Sequence, residues 1–323
     1  MNELFYQALL IEIQKNFSKK SAMVNELVEI LRIEKGAVYR RLRQEVPFTF
    51  NEIAIIAKHL KISLDNMIGI EVNKSALARL RLPDFISPQE EDYRMFDSFS
   101  NFLRKVNQLE NSEMVTVSNI LPQDLFFEFR YLLIFYLFKW NYHYNNDKVK
   151  PFHQIAILPE LDKHLSEFAM EIRKFNKFSY VFDSKMFRIL VNDIIFFYSI
   201  RLIEKEDVVN LKENLLSLLD SLENMAIDGQ FKETGKPINL YISDTAITTN
   251  YTYVEAGNIH FSMIRAFTLS SVTSFDEKVF EKMKKWIHSL IKLSTLITLT
   301  NERQRVLYFE EQRKIVDELQ FHI

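Results

Sequence analysis

Apolar side chains recur at three- and four-residue steps through the first 70 residues. Leu9, Leu10, Ile13 and Phe17 predict a helix over residues 2–16, and Val24, Leu27, Val28 and Leu31 predict a second over Ser21–Leu31. A third, short helix is expected from Glu34 to Arg43, with Pro47 closing the unit. Thr49 and Glu52 stand at the spacing of a capping box, in which hydroxyl and carboxylate satisfy free N–H groups at a helix start. That box opens a helix carrying Ile53, Ile56, Ala57 and Leu60, and Ser63 caps a last turn to Met67. The pattern therefore predicts five short helices.

Pro83 and Pro88 bracket a short segment, and the expected organisation is a first domain over residues 1–82, a linker over 83–87 and a second domain over 88–323. Ser87-Pro88-Gln89-Glu90 reads as a helix start. Beyond it the spacing predicts helices over 88–110, 122–140, 159–178, 185–204 and 205–227, with Asp228-Gly229 as the stop. Ile238–Ser243, Thr248–Val254 and Ile259–Leu269 are rich in β-branched and aromatic residues and predict strands, with a hairpin turn at Glu255-Ala256-Gly257-Asn258. Ser274 and Glu277 are expected to cap a helix reaching Leu299, and Asn301–Gln320 a final one. The expected fold class is mainly α: a five-helix N-terminal domain, then a larger helical domain with a small antiparallel β element near 238–269.

Composition supports this expectation. The 323 residues are 47% hydrophobic and 26% charged, enough to bury a large core, and include 5 glycines, well under the usual ~7%. Phosphate-binding folds spend glycines where backbone must approach phosphate, and neither G-x-G-x-x-G nor G-x-x-x-x-G-K-[ST] occurs. The absence of cysteine excludes disulfides, thiolate metal sites and a cysteine nucleophile. Leu125–Phe138 is the most apolar stretch, but Glu128 and Arg130 interrupt it, and it falls short of the ~20 residues that span a bilayer. The expectations are a soluble, cytoplasmic protein with no membrane partner, no cofactor, no metal and no enzymatic activity.

Net charge is −2, but it is unevenly distributed: residues 1–70 hold ten Lys/Arg against eight Asp/Glu, and Arg32–Arg43 alone holds five basic residues and one acid. Helix Ser21–Leu31, a short turn at Arg32-Ile33 and helix Glu34–Arg43 have the layout of a helix-turn-helix, whose second helix enters the major groove. Val38 and Leu42 would pack inward, while Lys35, Tyr39 and Arg43 share the neighbouring strip, flanked by Arg40. These side chains suit guanine edges, thymine methyls and phosphates. Gly36 would let backbone approach DNA closely. A solvated basic helix face has the same pattern.

The segment Leu27–Leu42, followed by Phe50-Asn51-Glu52-Ile53-Ala54-Ile55-Ile56-Ala57-Lys58-His59-Leu60-Lys61-Ile62-Ser63-Leu64-Asp65, resembles the lambda-repressor/Cro-like (XRE) helix-turn-helix family, and Val38-Tyr39-Arg40-Arg41 is similar to BetR-type regulators. The resemblance covers about residues 1–70. This chain has Arg32 where the family usually has glycine, and Ile33-Glu34 in place of a Ser or Thr cap. The resemblance implies a DNA-binding transcription regulator with Lys35, Gly36, Tyr39, Arg40 and Arg43 at the DNA, and Lys19, Lys20 and Ser21 near phosphate. The alternative is a protein-interaction or scaffold protein whose helix-turn-helix no longer meets DNA.

Val208, Leu211, Leu215, Leu218 and Leu222 repeat at heptad-type spacing, which suits either a core helix or the seam of a homodimer. A dimer would place two recognition helices on a two-part operator. The aromatic run Phe126–Tyr144 suits either core or an apolar pocket for a small-molecule or protein effector. His143, His153 and His164 lack the i, i+4 spacing of helical metal ligands.

Overall fold

The helical stripes of the first segment pack as their spacing requires. In the computed structural model, which describes residues 2–323 apart from 18, 61, 63, 65–77, 145–148, 268, 322 and 323, they form α1 (Asn2–Lys15), α2 (Lys20–Leu31), α3 (Lys35–Leu42) and α4 (Phe50–Leu60). Leu9 and Ile13 of α1 meet Val24 and Leu27 of α2, Val38 of α3, Ile56 of α4 and Phe48 in one buried cluster. The expected turn from Ser63 to Met67, apart from Leu64, lies outside the described residues. The chain divides into two compact units, Met1–Leu77 and Ala78–Ile323.

The second unit overturns the expectation of a mainly helical domain with a small antiparallel element. It is built on an eight-stranded mixed sheet, in the order β1-β7-β6-β5-β2-β3-β4-β8. The strands are β1 (Arg79–Arg81), β2 (Glu113–Ser118), β3 (Lys177–Asp183), β4 (Ile238–Ser243), β5 (Tyr251–Ala256), β6 (Ile259–Ala266), β7 (Ser270–Ser274) and β8 (Ser294–Leu296). β2, β3 and β4 run parallel, joined by helical crossovers, with Val115 opposite Ser179 and Ser179 opposite Asn239. β5, β6 and β7 form an antiparallel meander on the other side of β2, turning at Gly257 with φ +56° as the sequence predicts.

Helices α5 (Glu90–Asn107), α6 (Gln123–Phe126), α7 (Arg130–Tyr144), α8 (Pro159–Ile172), α9 (Met186–Ser199), α10 (Lys205–Asp228) and α12 (Glu302–Asp317) share one large apolar cluster with Phe178, Tyr180 and Phe182 of β3. The opposite face is covered by α11 (Glu277–Lys292), whose Phe280, Met283 and Ile287 pack on Val115, Val117, Val181 and Tyr253. β2 and β3 are thus buried on both faces. A strand in that position loses the alternation that identifies strands in sequence, and so reads as a loop or a helix end. The helix predicted to run to residue 178 ends at Ile172, and the one predicted to reach Leu299 ends at Lys292, before β8. The cap of α11 is Asp276, whose carboxylate accepts the Val279 N–H at 2.9 Å; Ser274 sits two residues too early and accepts the Asp276 N–H instead.

Residues 79–87 are folded into the second unit, so the expected boundary moves towards the N-terminus. Arg79–Arg81 pairs with β7, Phe85 is buried, and the Asp84 carboxylate accepts the N–H groups of Ile86 and Ser87 at 2.8 and 2.9 Å. The heptad-spaced Val208, Leu211, Leu215, Leu218 and Leu222 are all buried within this chain, on a helix that packs against α7 and α12. They are core, and a dimer seam cannot use them. Among the described residues, no helix is long and apolar enough to cross a membrane.

Leu215→Ala is expected to destabilise the second unit by about 2–5 kcal/mol, the usual cost of a leucine-sized cavity, in chemical denaturation. Its sedimentation coefficient should match that of the unsubstituted chain, since the side chain faces inward.

Candidate nucleic-acid interface

The turn between α2 and α3 is made without glycine. Arg32 takes a left-handed conformation, φ 52° and ψ 42°, and so ends α2. Ile33 packs against the core of the first unit, and Glu34 is extended before the first residue of α3. The Glu34 carbonyl accepts the N–H groups of Ala37 at 2.9 Å and Val38 at 3.2 Å. The backbone therefore bends at Arg32, an L residue held in the left-handed region at a steric cost.

Val38 is buried and Leu42 packs beside it, which fixes the rotation of α3. At about 100° per residue, Lys35, Tyr39, Arg43, Gly36 and Arg40 then occupy one continuous outward arc. Lys35, Gly36, Arg40 and Arg43 are exposed, and Tyr39 is half-buried at the margin of the core. A methyl group added at Gly36 would meet no atom within 4 Å, so nothing inside the fold demands glycine there. Lys19, Lys20 and Ser21 are exposed at the start of a different helix, α2, where the side chain of the cap residue Lys19 makes no capping hydrogen bond. That helix end carries partial positive charge.

The structure sorts the basic residues by partner. Arg41 points inward, and its guanidinium grips Glu52 through two bonds, Nε to Oε2 at 3.0 Å and Nη2 to Oε1 at 2.7 Å. Glu52 also accepts the Thr49 N–H at 2.7 Å and donates its own N–H to Thr49 Oγ1 at 3.3 Å, which completes the predicted capping box. The Tyr6 hydroxyl accepts the Phe48 N–H at 3.0 Å and donates to the Arg41 carbonyl at 3.2 Å. Arg41 is thus a structural cation that ties α3 to α4, a role the sequence reading did not assign; Glu52, already placed in the box, was its only sequence signal. Arg43 lies 2.7 Å from Glu45 in an exposed pair, worth little in water. Lys35 and Arg40 form no ion pair among the described residues.

Burial alone would raise the pKa of Glu52, but the Arg41 bond and the Thr49 N–H outweigh it and hold the carboxyl below its ordinary value. Burial raises that of the Tyr6 hydroxyl.

The histidines do not assemble a site together. The ring of His164 instead lies 3.1 Å from Asp97, and with Glu167 these ligand atoms fall within 4.8 Å of one another. Most of the dense aromatic run is core, with Phe126 and Tyr136 stacked at 4.0 Å, while Tyr144 is exposed and Phe127 lines a cavity. Compared with protein-family models, curated proteins and solved structures, the chain matches none.

Two outcomes are expected from this geometry. Arg32→Gly should stabilise the first unit by up to about 1 kcal/mol, the relief of left-handed strain less the added freedom of the unfolded chain, read as a rise in its melting temperature. Glu52 has a depressed native pKa, so its contribution is complete above the ordinary value of 4.5 and is lost as pH falls through the lower native one. Glu52→Gln should therefore melt below the parent at pH 7, and the deficit should shrink as pH is taken towards 3.

Proposed function

We propose that the chain is a sequence-specific DNA-binding transcription regulator in which α3 lies in the major groove. The observation that carries this reading is the outward arc of α3. Lys35, Tyr39, Arg40 and Arg43 are presented together while Arg41 is withdrawn into a structural pair. A merely solvated basic face has no reason to include a glycine that its own packing does not need. Gly36 costs helix stability of about 0.5–1 kcal/mol relative to alanine, and its open surroundings suit close approach by a second molecule.

In this reading Lys35 and Arg40 reach base edges or adjacent phosphates. Arg43 exchanges its weak surface pair with Glu45 for backbone phosphate. Lys19, Lys20 and Ser21 meet phosphate at the exposed start of α2, where the helix dipole adds to their charge. Affinity rests mainly on phosphate neutralisation, and specificity on the few side chains that reach the bases.

Fluorescence anisotropy of the full chain on mixed-sequence duplex DNA tests the reading. Binding should weaken steeply between low and moderate salt. Arg40→Ala and Arg43→Ala should each cost about 1–3 kcal/mol where the contact is bidentate to a base, and less for a single phosphate. Gly36→Ala should weaken DNA binding while raising the melting temperature of the first unit, a combination that a loss of folding cannot produce. Absence of binding at low salt would refute the reading and favour a protein-contact role for this surface.

A further inference from the structure

The second unit contains a cavity of about 100 Å³ between the β1-β7-β6 edge of the sheet and helices α5, α6 and α8. Its walls are mostly apolar, formed by Phe96, Phe99, Phe127, Phe168 and Leu269, with Gln123 and His164 among them. Its floor is not. The register sets Arg81 of β1 opposite Ser271 of β7, and Ser271 opposite Arg265 of β6. Directly opposed residues of antiparallel strands point to the same face, so the two arginines flank one serine on the side that lines the cavity.

Elsewhere in this unit, the buried arginines have close partners. Arg173 lies 2.6 Å from Glu128 and 3.1 Å from Glu233. Arg305 donates to the carbonyls of Ile297 and Thr300 at 2.9 and 3.4 Å. Arg265 has one long bond, to the Leu121 carbonyl at 3.4 Å. Asp124 attracts it from beyond ion-pair range, but that carboxyl takes the Tyr180 hydroxyl, and burial raises its pKa. Arg81 rests over the Phe99 ring at 5.3 Å. Neither Arg81 nor Arg265 forms an ion pair among the described residues. The neighbouring Ser270 hydroxyl is buried with no hydrogen-bond partner among the described residues.

Arg81 and Arg265 are half-buried, and an arginine does not shed its charge when partly withdrawn from water, so a guanidinium that faces an apolar cavity without a carboxylate partner favours an anion beside it. An anion placed between them supplies the partner that both lack, and its hydrogen bonds are of the strong, charge-assisted kind. We propose that this cavity binds a small apolar anion: a short acyl chain or single ring seated among the phenylalanines, with a carboxylate or phosphate head held by Arg81 and Arg265. This site does not depend on what α3 binds.

Isothermal titration of the full chain with phenylacetate, phenyl phosphate and phenylacetamide tests the assignment. At least one anion should saturate a single site, and the one that does distinguishes a carboxylate from a phosphate ligand. Phenylacetamide has nearly the shape of phenylacetate without its charge, and should bind at least tenfold more weakly than the preferred anion. Arg81→Gln and Arg265→Gln should each weaken binding tenfold or more in a chain that stays folded, because neither substitution breaks an ion pair. Arg81, on an edge strand, keeps the test valid should the Arg265 variant fail to fold. Arg313→Gln removes a guanidinium already paired with Asp220 and Glu223 and should leave binding unchanged. The proposal is overturned if neither anion saturates, if the amide binds as well as the anions, or if the folded arginine variants bind undiminished.

Discussion

β3 has little room for solvent on either side. Phe178, Tyr180 and Phe182 project into the layer formed by seven helices, while Val181 projects against α11. Its neighbours β2 and β4 are hydrogen-bonded to it along nearly their whole length, so its edges are covered as well. A strand enclosed in this way requires apolar helices on both faces, and the remainder of the second unit supplies them. The few polar groups it buries must then be satisfied locally. The Tyr180 hydroxyl donates to Asp124, and the Asp183 carboxylate at the end of the strand accepts the N–H groups of Lys185 and Ile247, both at 2.8 Å. These bonds fix where the chain turns after β3 and where it returns after β4.

The same economy governs charge. Arg41 in the first unit and Arg173 in the second are withdrawn from water and matched by carboxylates, so each contributes to the fold and neither is available to a ligand. Cations that lack such partners carry a different meaning. On α3 they are exposed and solvated, which suits a polyanion approaching from outside. At the sheet edge Arg81 and Arg265 line an apolar cavity, which suits one small anion entering it. Their internal partners, more than their positions in the chain, separate these roles.

Much of the first unit was legible in the sequence. Its helices are short and half-exposed, so the 3.6-residue period survives in the pattern of apolar residues, and the Thr49–Glu52 box marked a helix start by chemistry alone. The outward arc of α3 followed from Val38 and Leu42. That rotation also left Arg41 off the arc, but its pairing with Glu52 was not legible, because Glu52 lies eleven residues away on another helix.

For the second unit, the sequence alone determined that a large apolar core exists, where several helices begin, and that β-branched residues near 238–269 form strands. It could not determine the size of the sheet, for two physical reasons. Strands enclosed on both faces, as β2 and β3 are, lose the alternation that reveals exposed ones. Scarce glycine was also a misleading guide to turns, since Arg32, Gln44, Asn111, Arg201, Phe267, Leu299 and Asn301 all adopt positive φ without it. All seven side chains are exposed, so each turn is made with its side chain left in solvent. Tertiary packing decided that the heptad-spaced leucines of α10 are core, and it alone brought Arg81 and Arg265 together from positions 184 residues apart. Local preference is written along the chain, whereas pairing between distant strands depends on which surfaces remain uncovered once the helices have formed.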